Sequence, residues 1–310
     1  MSHYPLSAEL TDFVRRTLSY TSADNSLKGL RDSYERMCRD FTPPRPPGLA
    51  VHDLQLAKVP LRAYHPDRPA PASGWPWLLY LHGGGWVLGS LDSHDFICAA
   101  LADELDILVI AVDYRRAPEH PFPAAFDDCL GVWRALEQGL SPLPLDSRRR
   151  LVMGDSAGGN LAAALCLALR DAAEPLPAAQ VLVYPGLGGA ADLPSRSQYA
   201  DAPLLSSSDL DCFQALYLPG RPQRSAYARP LLAEQFSGLP PAFIALAQFD
   251  PLRDDGECYH RHLLGAGVAS QLYPGLGLVH GCLRARGLAA KVDALYSALL
   301  RYLQQHLERP

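Results

Sequence analysis

The chain has 310 residues, of which 48% are hydrophobic, so it is long enough to bury a sizeable core. Its formal net charge of −5 comes from 28 basic and 33 acidic residues spread along the sequence, which excludes an electrostatic stripe suited to nucleic acid. No segment approaches the roughly 18 apolar residues of a membrane span, and the first residues lack the pattern of a secretory signal. We therefore expect a cytoplasmic protein.

The cysteines, seven in all, are scattered and form no C-x-x-C pair. This spacing is typical of reduced, buried thiols and unlike that of disulfides or zinc sites. The sequence therefore predicts neither a metal nor another cofactor.

Two amphipathic helices are predicted within the first forty residues. The prolines at residues 43–48 end helix formation, because proline lacks an amide donor and clashes with the preceding turn. We therefore assign residues 1–48 to N-terminal helices and a linker, and residues 49–310 to a second unit. The apolar stripes of the two helices consist of Leu6, Leu10, Phe13 and Val14, and of Leu27, Leu30, Tyr34, Met37 and Phe41.

Strands and helices alternate through the second unit, and this alternation predicts an α/β fold with a mostly parallel central sheet flanked by helices. The segment at about residues 186–230 interrupts the alternation and is interpreted as an insertion over the carboxyl edge of the sheet. After a hairpin at 51–64, the predicted strands are 77–81, 107–112, 151–153, 181–184, 243–247 and 269–273, and the predicted helices are 123–136, 157–170, 254–264 and 283–307.

A serine stands in the turn between a predicted strand and a predicted helix, within the motif G-D-S-A-G-G at residues 154–159. Such a sharp turn needs small neighbours and lifts the hydroxyl of Ser156 clear of the sheet. At the start of a helix, amide groups and the helix dipole also favour developing negative charge. The motif points to a nucleophile, and the alternative is a tight turn in which the serine merely caps the helix.

A glycine loop, H-G-G-G-W at residues 82–86, directly follows the strand at 77–81. Consecutive glycines let amide groups converge on one point, as an oxyanion hole requires. We assign the amides of Gly83, Gly84 and Ala157 to that hole, and we expect His82 to brace the loop. The alternative is a phosphate-binding loop, but the chain has no G-x-x-x-x-G-K-[ST] motif, and no G-x-G-x-x-G opens a helix after the first strand.

A serine nucleophile needs a base and a group that orients the base. His280 lies in a loop between the last strand and the last helix, where it can reach the carboxyl edge of the sheet. Asp250 follows the strand at 243–247, whereas Asp254 and Asp255 are explained as the cap and first-turn acids of the next helix. The order Ser156, Asp250, His280 is the order of a catalytic triad on the α/β-hydrolase fold.

With these motifs, the chain resembles the hormone-sensitive lipase-like (bacterial family IV) esterases of the α/β-hydrolase fold from about residue 77 to its C-terminal helix. The residues that carry the resemblance are H-G-G-G-W at 82–86, D-Y-R-R-A-P-E at 113–119, P-F-P-A-A at 121–125, G-D-S-A-G-G-N at 154–160, D-P-L-R-D-D-G at 250–256 and H-G at 280–281. Arg116 and Cys282 depart from the leucine and phenylalanine that are common in the family.

The resemblance implies a carboxylesterase that cleaves small ester substrates through Ser156, Asp250 and His280. It also implies that the N-terminal helices and the 186–230 insertion form a helical cap, with Trp86 as a wall of the substrate pocket, and it allows a homodimer. It further implies that Asp113, Arg115 and Glu119 are buried scaffold charges, and we expect Asp155 to brace neighbouring loops. Short to medium acyl chains are expected, and the alternatives are an amide hydrolase and a non-catalytic ligand-binding protein on the same fold.

Overall fold

The computed structural model describes residues 4–22, 24, 26–220 and 225–308. The predicted ranges 1–48, 49–310 and 186–230 each include a few positions outside these residues, at 1–3, 23, 25, 221–224 and 309–310.

The described residues form a sheet of eight strands in the order β1-β2-β4-β3-β5-β6-β7-β8. The first hairpin is antiparallel and β2 also pairs antiparallel with β4, while all other neighbouring strands are parallel. The predicted α/β fold with a mostly parallel sheet is confirmed. The strands are β1 Leu49–Leu56, β2 Val59–Pro66, β3 Trp75–Leu81, β4 Leu108–Val112, β5 Leu145–Asp155, β6 Ala179–Val183, β7 Ala242–Ala245 and β8 Ser270–Tyr273.

Helices cover both faces of this sheet. Successive side chains of β3 alternate between two hydrophobic clusters, so Leu79 and Leu81 pack on one face while Leu78 and Tyr80 pack on the other. The described helices are α1 Ala8–Leu18, α2 Leu27–Phe41, α3 Asp95–Leu105, α4 Ala124–Glu137, α5 Ala157–Asp171, α6 Pro194–Gln198, α7 Ser207–Tyr217, α8 Arg253–Gly265 and α9 Ala290–Leu307.

The N-terminal helices bury most of their predicted stripes. Ser7 and Ser26 cap α1 and α2 by accepting hydrogen bonds from the amides of Leu10 and Gly29. Leu30 is an exception, because 48% of its surface is exposed. None of the described helices combines the length and the apolar character needed to cross a bilayer.

Several elements differ from their predictions. Helix α3 was not predicted, and β5 begins at Leu145 instead of residue 151. The last helix begins at Ala290, because Cys282–Ala285 forms a short 3-10 helix and Gly287 has a φ of 71°. The prediction of buried thiols is wrong for Cys212, which is exposed, and for Cys258, which is half-buried.

Candidate functional site

Ser156 occupies the sharp turn between β5 and α5. Its backbone is strained, with φ 54° and ψ −116°. A Cβ atom on Gly154 would lie 2.2 Å from the carbonyl oxygen of Gly158, and one on Gly158 would lie 1.9 Å from that of Leu81. Glycine at both positions therefore lets the turn close and the hydroxyl of Ser156 project from the carboxyl end of the sheet.

The loops after β7 and β8 are paired by a backbone bridge between Phe249 and Val279, where the Phe249 amide donates to the carbonyl of Leu278 at 3.0 Å. The amide of Gln248 also donates to the carbonyl of Gly275 at 3.1 Å. Each partner of the bridge immediately precedes a predicted site residue, Asp250 or His280. The bridge therefore sets these two side chains beside each other although they are 30 positions apart.

The three residues predicted as a triad form one hydrogen-bonded chain. His280 Nδ1 lies 2.7 Å from Asp250 Oδ2, and His280 Nε2 lies 2.9 Å from Ser156 Oγ. Asp250 is fully buried and also accepts a hydrogen bond from the amide of Leu252 at 2.7 Å. These distances allow an imidazole, oriented by a carboxylate, to take a proton from the serine hydroxyl.

The glycine loop differs from its prediction at its first glycine. The amide of Gly83 donates to Asp155 Oδ1 at 3.0 Å, so it is not free for an oxyanion. Gly84, Gly85 and Ala157 instead line the cavity that contains Ser156. The assignment of Gly83 to the oxyanion hole is therefore wrong, because a carboxylate from a neighbouring strand already occupies its amide.

His82 braces the glycine loop, as predicted. Its Nδ1 donates to the carbonyl of Gly83 at 2.8 Å, and the hydroxyl of Tyr114 donates to the carbonyl of His82 at 2.7 Å. Burial lowers the pKa of His82 to about 3, so the ring is neutral at ordinary pH. His82 is therefore a structural support of the loop.

Asp155 connects the loop to the sheet, which agrees with its predicted bracing role. Besides the amide of Gly83, its carboxylate accepts from the hydroxyl of Tyr80 at 2.8 Å, and His94 Nε2 lies 3.3 Å away. Burial by itself would raise the pKa of Asp155, but His94, Arg284 and Tyr80 together bring it below the ordinary value. The carboxylate is therefore ionised while buried.

Trp86 lines the cavity with 7% of its surface exposed. Its ring stacks on Tyr217 of α7, with centroids 4.3 Å apart and planes at 1°. The residue is therefore both a wall of the cavity and part of the core.

The cavity above Ser156 has a volume of about 300 Å³ and is mainly apolar. Its lining comes from the glycine loop, from the loops that carry the triad, and from three of the helices outside the sheet. The lining residues from these three helices are Phe13, Thr17 and Leu18 of α1, Leu30, Ser33, Tyr34 and Met37 of α2, and Leu210, Phe213 and Gln214 of α7.

Asp254 and Asp255 play a larger part than the predicted helix cap. The N-cap of α8 is Leu252 and has no side-chain cap. Asp255 accepts from the amide of Leu187 at 2.8 Å and pairs with Arg196, while Asp254 accepts from the amide of Ser195 at 2.8 Å. The two carboxylates therefore anchor the start of the segment between β6 and β7.

The predicted buried scaffold charges lie closer to the surface than expected. Glu119 is exposed and pairs with Arg31 of α2 at 2.7 Å, and Arg115 is exposed and pairs with Asp128 at 2.7 Å. Only Asp113 is partly buried, and burial raises the pKa of its carboxyl. The Arg31–Glu119 pair ties the second N-terminal helix to the loop after β4.

Three side chains near the triad were missed by the sequence analysis. The ring of Tyr184 lies 4.6 Å from that of His280, and Tyr184 and Arg284 both line the cavity. His94 contacts the carboxylate of Asp155. No motif marked them beyond their proximity in sequence to strand ends and to His280. Among the residues that the structure describes, no group of three or more His, Cys, Asp or Glu side chains could hold a metal ion.

Comparisons with known proteins identify the family of this chain. A family model described as alpha/beta hydrolase fold matches residues 78–284. The chain is 37% identical over 302 residues to the carboxylesterase NlhH of Mycobacterium tuberculosis, covering 90% of this chain and 93% of that protein. It is 40% identical over 264 residues to the ethyl acetate hydrolase of Pseudomonas putida, covering 83% of each.

The fold is also similar to that of solved esterases. One esterase of the bacterial hormone-sensitive lipase family matches with a TM-score of 0.87 and 28% identity, over 99% of this chain and 100% of that chain. The chain therefore belongs to the hormone-sensitive lipase-like family of esterases with the α/β-hydrolase fold.

Proposed function

We propose that the chain hydrolyses short- to medium-chain carboxylic esters through Ser156, His280 and Asp250, by way of an acyl-enzyme intermediate. Ester hydrolysis itself follows from the family, whose members above include a carboxylesterase and an ethyl acetate hydrolase. The observation that carries the proposed mechanism is the continuous hydrogen-bonded chain from Asp250 through His280 to Ser156, at 2.7 and 2.9 Å.

In the first step, Ser156 Oγ attacks the ester carbonyl carbon while His280 Nε2 takes the hydroxyl proton. The carbonyl π electrons move onto the oxygen and form a tetrahedral oxyanion. When this intermediate collapses, the C–O bond to the alcohol breaks, and His280 returns its proton to the leaving alcohol. Asp250 holds the imidazole in the tautomer that leaves Nε2 free to accept the proton.

In the second step, water attacks the acyl-enzyme with His280 again as the base, and the acid and free Ser156 are released. We propose the amides of Gly84, Gly85 and Ala157 as the oxyanion donors in both steps. Each donor is worth about 3 to 4 kcal/mol of barrier when it is preset at the oxyanion. Gly83 does not contribute directly, because its amide is bonded to Asp155.

The mechanism is tested with Ser156→Ala and His280→Ala. We expect both to lose nearly all turnover of p-nitrophenyl butyrate without a change in the circular dichroism spectrum. Ser270→Ala and His260→Ala are matched controls, because these two residues bond to each other at 2.8 Å on α8 and β8 and do not line the cavity. Full activity in either triad variant refutes the assignment.

The acyl preference is proposed from the cavity. Its volume of about 300 Å³ is at the lower end of the range for small-molecule sites, and α1, α2 and α7 are proposed to cap it. We expect kcat/KM to fall by about tenfold or more between C6 and C12 p-nitrophenyl esters, because methylenes that exceed the cavity must displace packed lining side chains, at a cost of about 1 to 3 kcal/mol. A rate that rises steadily to C16 contradicts the proposal.

The two alternatives from the sequence are outcomes of the same assays. An amide hydrolase would cleave the matching p-nitroanilide at a rate comparable to that of the ester, and a non-catalytic binding protein would release no p-nitrophenol. A homodimer remains a prediction, which sedimentation of the purified protein tests.

A further inference from the structure

A buried arginine lines the same cavity as Ser156 and His280 and has no part in the proposed mechanism. Arg284 belongs to the 3-10 helix Cys282–Ala285, and only 6% of its surface is exposed. Its guanidinium carbon lies 5.2 Å from the ring centre of Tyr34 in α2 and 5.5 Å from that of Phe96 in α3. A cation removed from water at this depth is costly unless polar or charged groups compensate it.

The partners of Arg284 join the N-terminal helices to the sheet. Its Nη2 atom donates to the hydroxyl of Tyr34 at 2.7 Å and lies 3.4 Å from His94 Nε2. The same ring nitrogen lies 3.3 Å from Asp155 Oδ1. A neutral imidazole has one N–H and one lone pair, so Nε2 either accepts from Arg284 or donates to Asp155. In both tautomers the ring lies between the cation and the carboxylate.

The carboxylate at the end of this network holds the glycine loop. Asp155 Oδ1 accepts the amide of Gly83 at 3.0 Å, and the amides of Gly84 and Gly85 follow directly in the chain. A Cβ on Gly83 would lie 2.4 Å from Asp155 Oδ2, so the loop and the carboxylate are in close contact. The direction of the next two amides therefore depends on the position and charge of Asp155.

We propose that Arg284 is a positioning residue for the oxyanion hole, which acts through His94 and Asp155 and is itself set by Tyr34. The proposal rests on the proposed function. The positive charge of Arg284 acts together with His94 and Tyr80 to keep Asp155 ionised. An ionised acceptor makes the hydrogen bond to Gly83 stronger and shorter than a neutral one. Since Tyr34 belongs to α2, docking of this helix is linked to stabilisation of the transition state.

The first test uses Arg284→Met, Arg284→Lys and Tyr34→Phe. For Arg284→Met we expect kcat to fall about ten- to a hundredfold with KM little changed, because a small displacement of preset donors affects the transition state and leaves substrate binding intact. Arg284→Lys restores part of kcat because it restores the charge. For Tyr34→Phe we expect kcat to fall about twofold to tenfold, the effect of one lost hydrogen bond.

Tyr259→Phe is the matched control, because Tyr259 is also fully buried, and its hydroxyl bonds to Gln180, remote from the cavity lining.

The second readout is the affinity for an alkyl trifluoromethyl ketone, which forms an oxyanion when Ser156 adds to it, and for the matching methyl ketone, which stays a ground-state ligand. In the Arg284 and Tyr34 variants, the affinity for the trifluoromethyl ketone is expected to fall in proportion to kcat, while the affinity for the methyl ketone stays unchanged.

Equal weakening of both ketones, or an unchanged kcat in a folded Arg284→Met, overturns the proposal. If that variant does not fold, an unchanged kcat in Tyr34→Phe overturns it instead. Failure of the proposed function is distinguishable, because it would be seen as turnover that survives Ser156→Ala in a protein with Arg284 and Tyr34 intact.

Discussion

The contact between the glycine loop and α7 allows a quantitative test through Gly85→Ala. Gly85 has a φ of 61°, and a Cβ there would lie 2.5 Å from Cγ of Phe213. The left-handed backbone costs about 1 to 2 kcal/mol for alanine. The clash with a packed ring adds about 1 to 3 kcal/mol. We therefore expect the free energy of unfolding to fall by about 2 to 5 kcal/mol, the sum of these two costs.

A second background separates the two contributions. In Phe213→Ala the ring is absent, so Gly85→Ala should cost only the backbone strain of about 1 to 2 kcal/mol. Gly139→Ala is the control for strain alone, because Gly139 has a φ of 71° and a Cβ there would meet nothing within 4 Å. Urea denaturation of the four members of the cycle, with kcat on a butyrate ester, measures both effects.

The reasoning is refuted if Gly85→Ala costs the same in both backgrounds to within about 0.5 kcal/mol, the usual limit of additivity. It is also refuted if kcat is unchanged, since the amide of Gly85 is proposed to bind the oxyanion and a displaced loop would move it.

Two further predictions concern buried charge. Burial lowers the pKa of His82 to about 3 and also lowers the pKa of His94, so below about pH 6.5 the unfolded chain binds more protons than the folded one. The free energy of unfolding should therefore fall with decreasing pH, by up to about 1.4 kcal/mol per pH unit for each ring. A free energy of unfolding that stays constant from pH 7 to pH 5 in urea denaturation would contradict this prediction. Asp255→Asn leaves the guanidinium of Arg196 without its buried partner, and we expect the free energy of unfolding to fall by about 3 to 5 kcal/mol in the same assay. A fall of less than about 1 kcal/mol would show that the ion pair is dispensable for stability.

The sequence was informative where local chemistry determines local structure. The strand before the glycine loop, β3, is buried along its whole length, and its uninterrupted apolar run identified it. The turn at Ser156 was identified from its glycines, which the turn requires because Gly154 lies close to the backbone of Gly158, and Gly158 lies close to that of Leu81. Helix α3 was missed for the opposite reason: apolar residues occupy both its faces, so the helical period is weak, and His94 at its N-cap makes no side-chain cap.

The error at Gly83 has a different origin. Three successive glycines offer three amides, and the sequence alone does not say which of them a side chain from elsewhere will engage. Asp155 lies 72 positions away, and its contact with Gly83 depends on β3 and β5 being neighbours in the sheet. The same limit applies to Arg284, whose partners Tyr34 and His94 are 250 and 190 positions distant. Such contacts depend on tertiary structure, which local patterns do not encode.

The bridge between Phe249 and Val279 also bears on how this architecture tolerates change. Asp250 and His280 each follow a residue of this main-chain pairing by one position, so the pairing sets their separation whatever path the chain takes before it. Changes in the segment between β6 and β7, which contributes Leu205, Phe213 and Leu218 to the cavity lining, would reshape the cavity while leaving the Asp250–His280 pair intact. Diversification of substrate range can therefore proceed in that segment without rebuilding the chemistry.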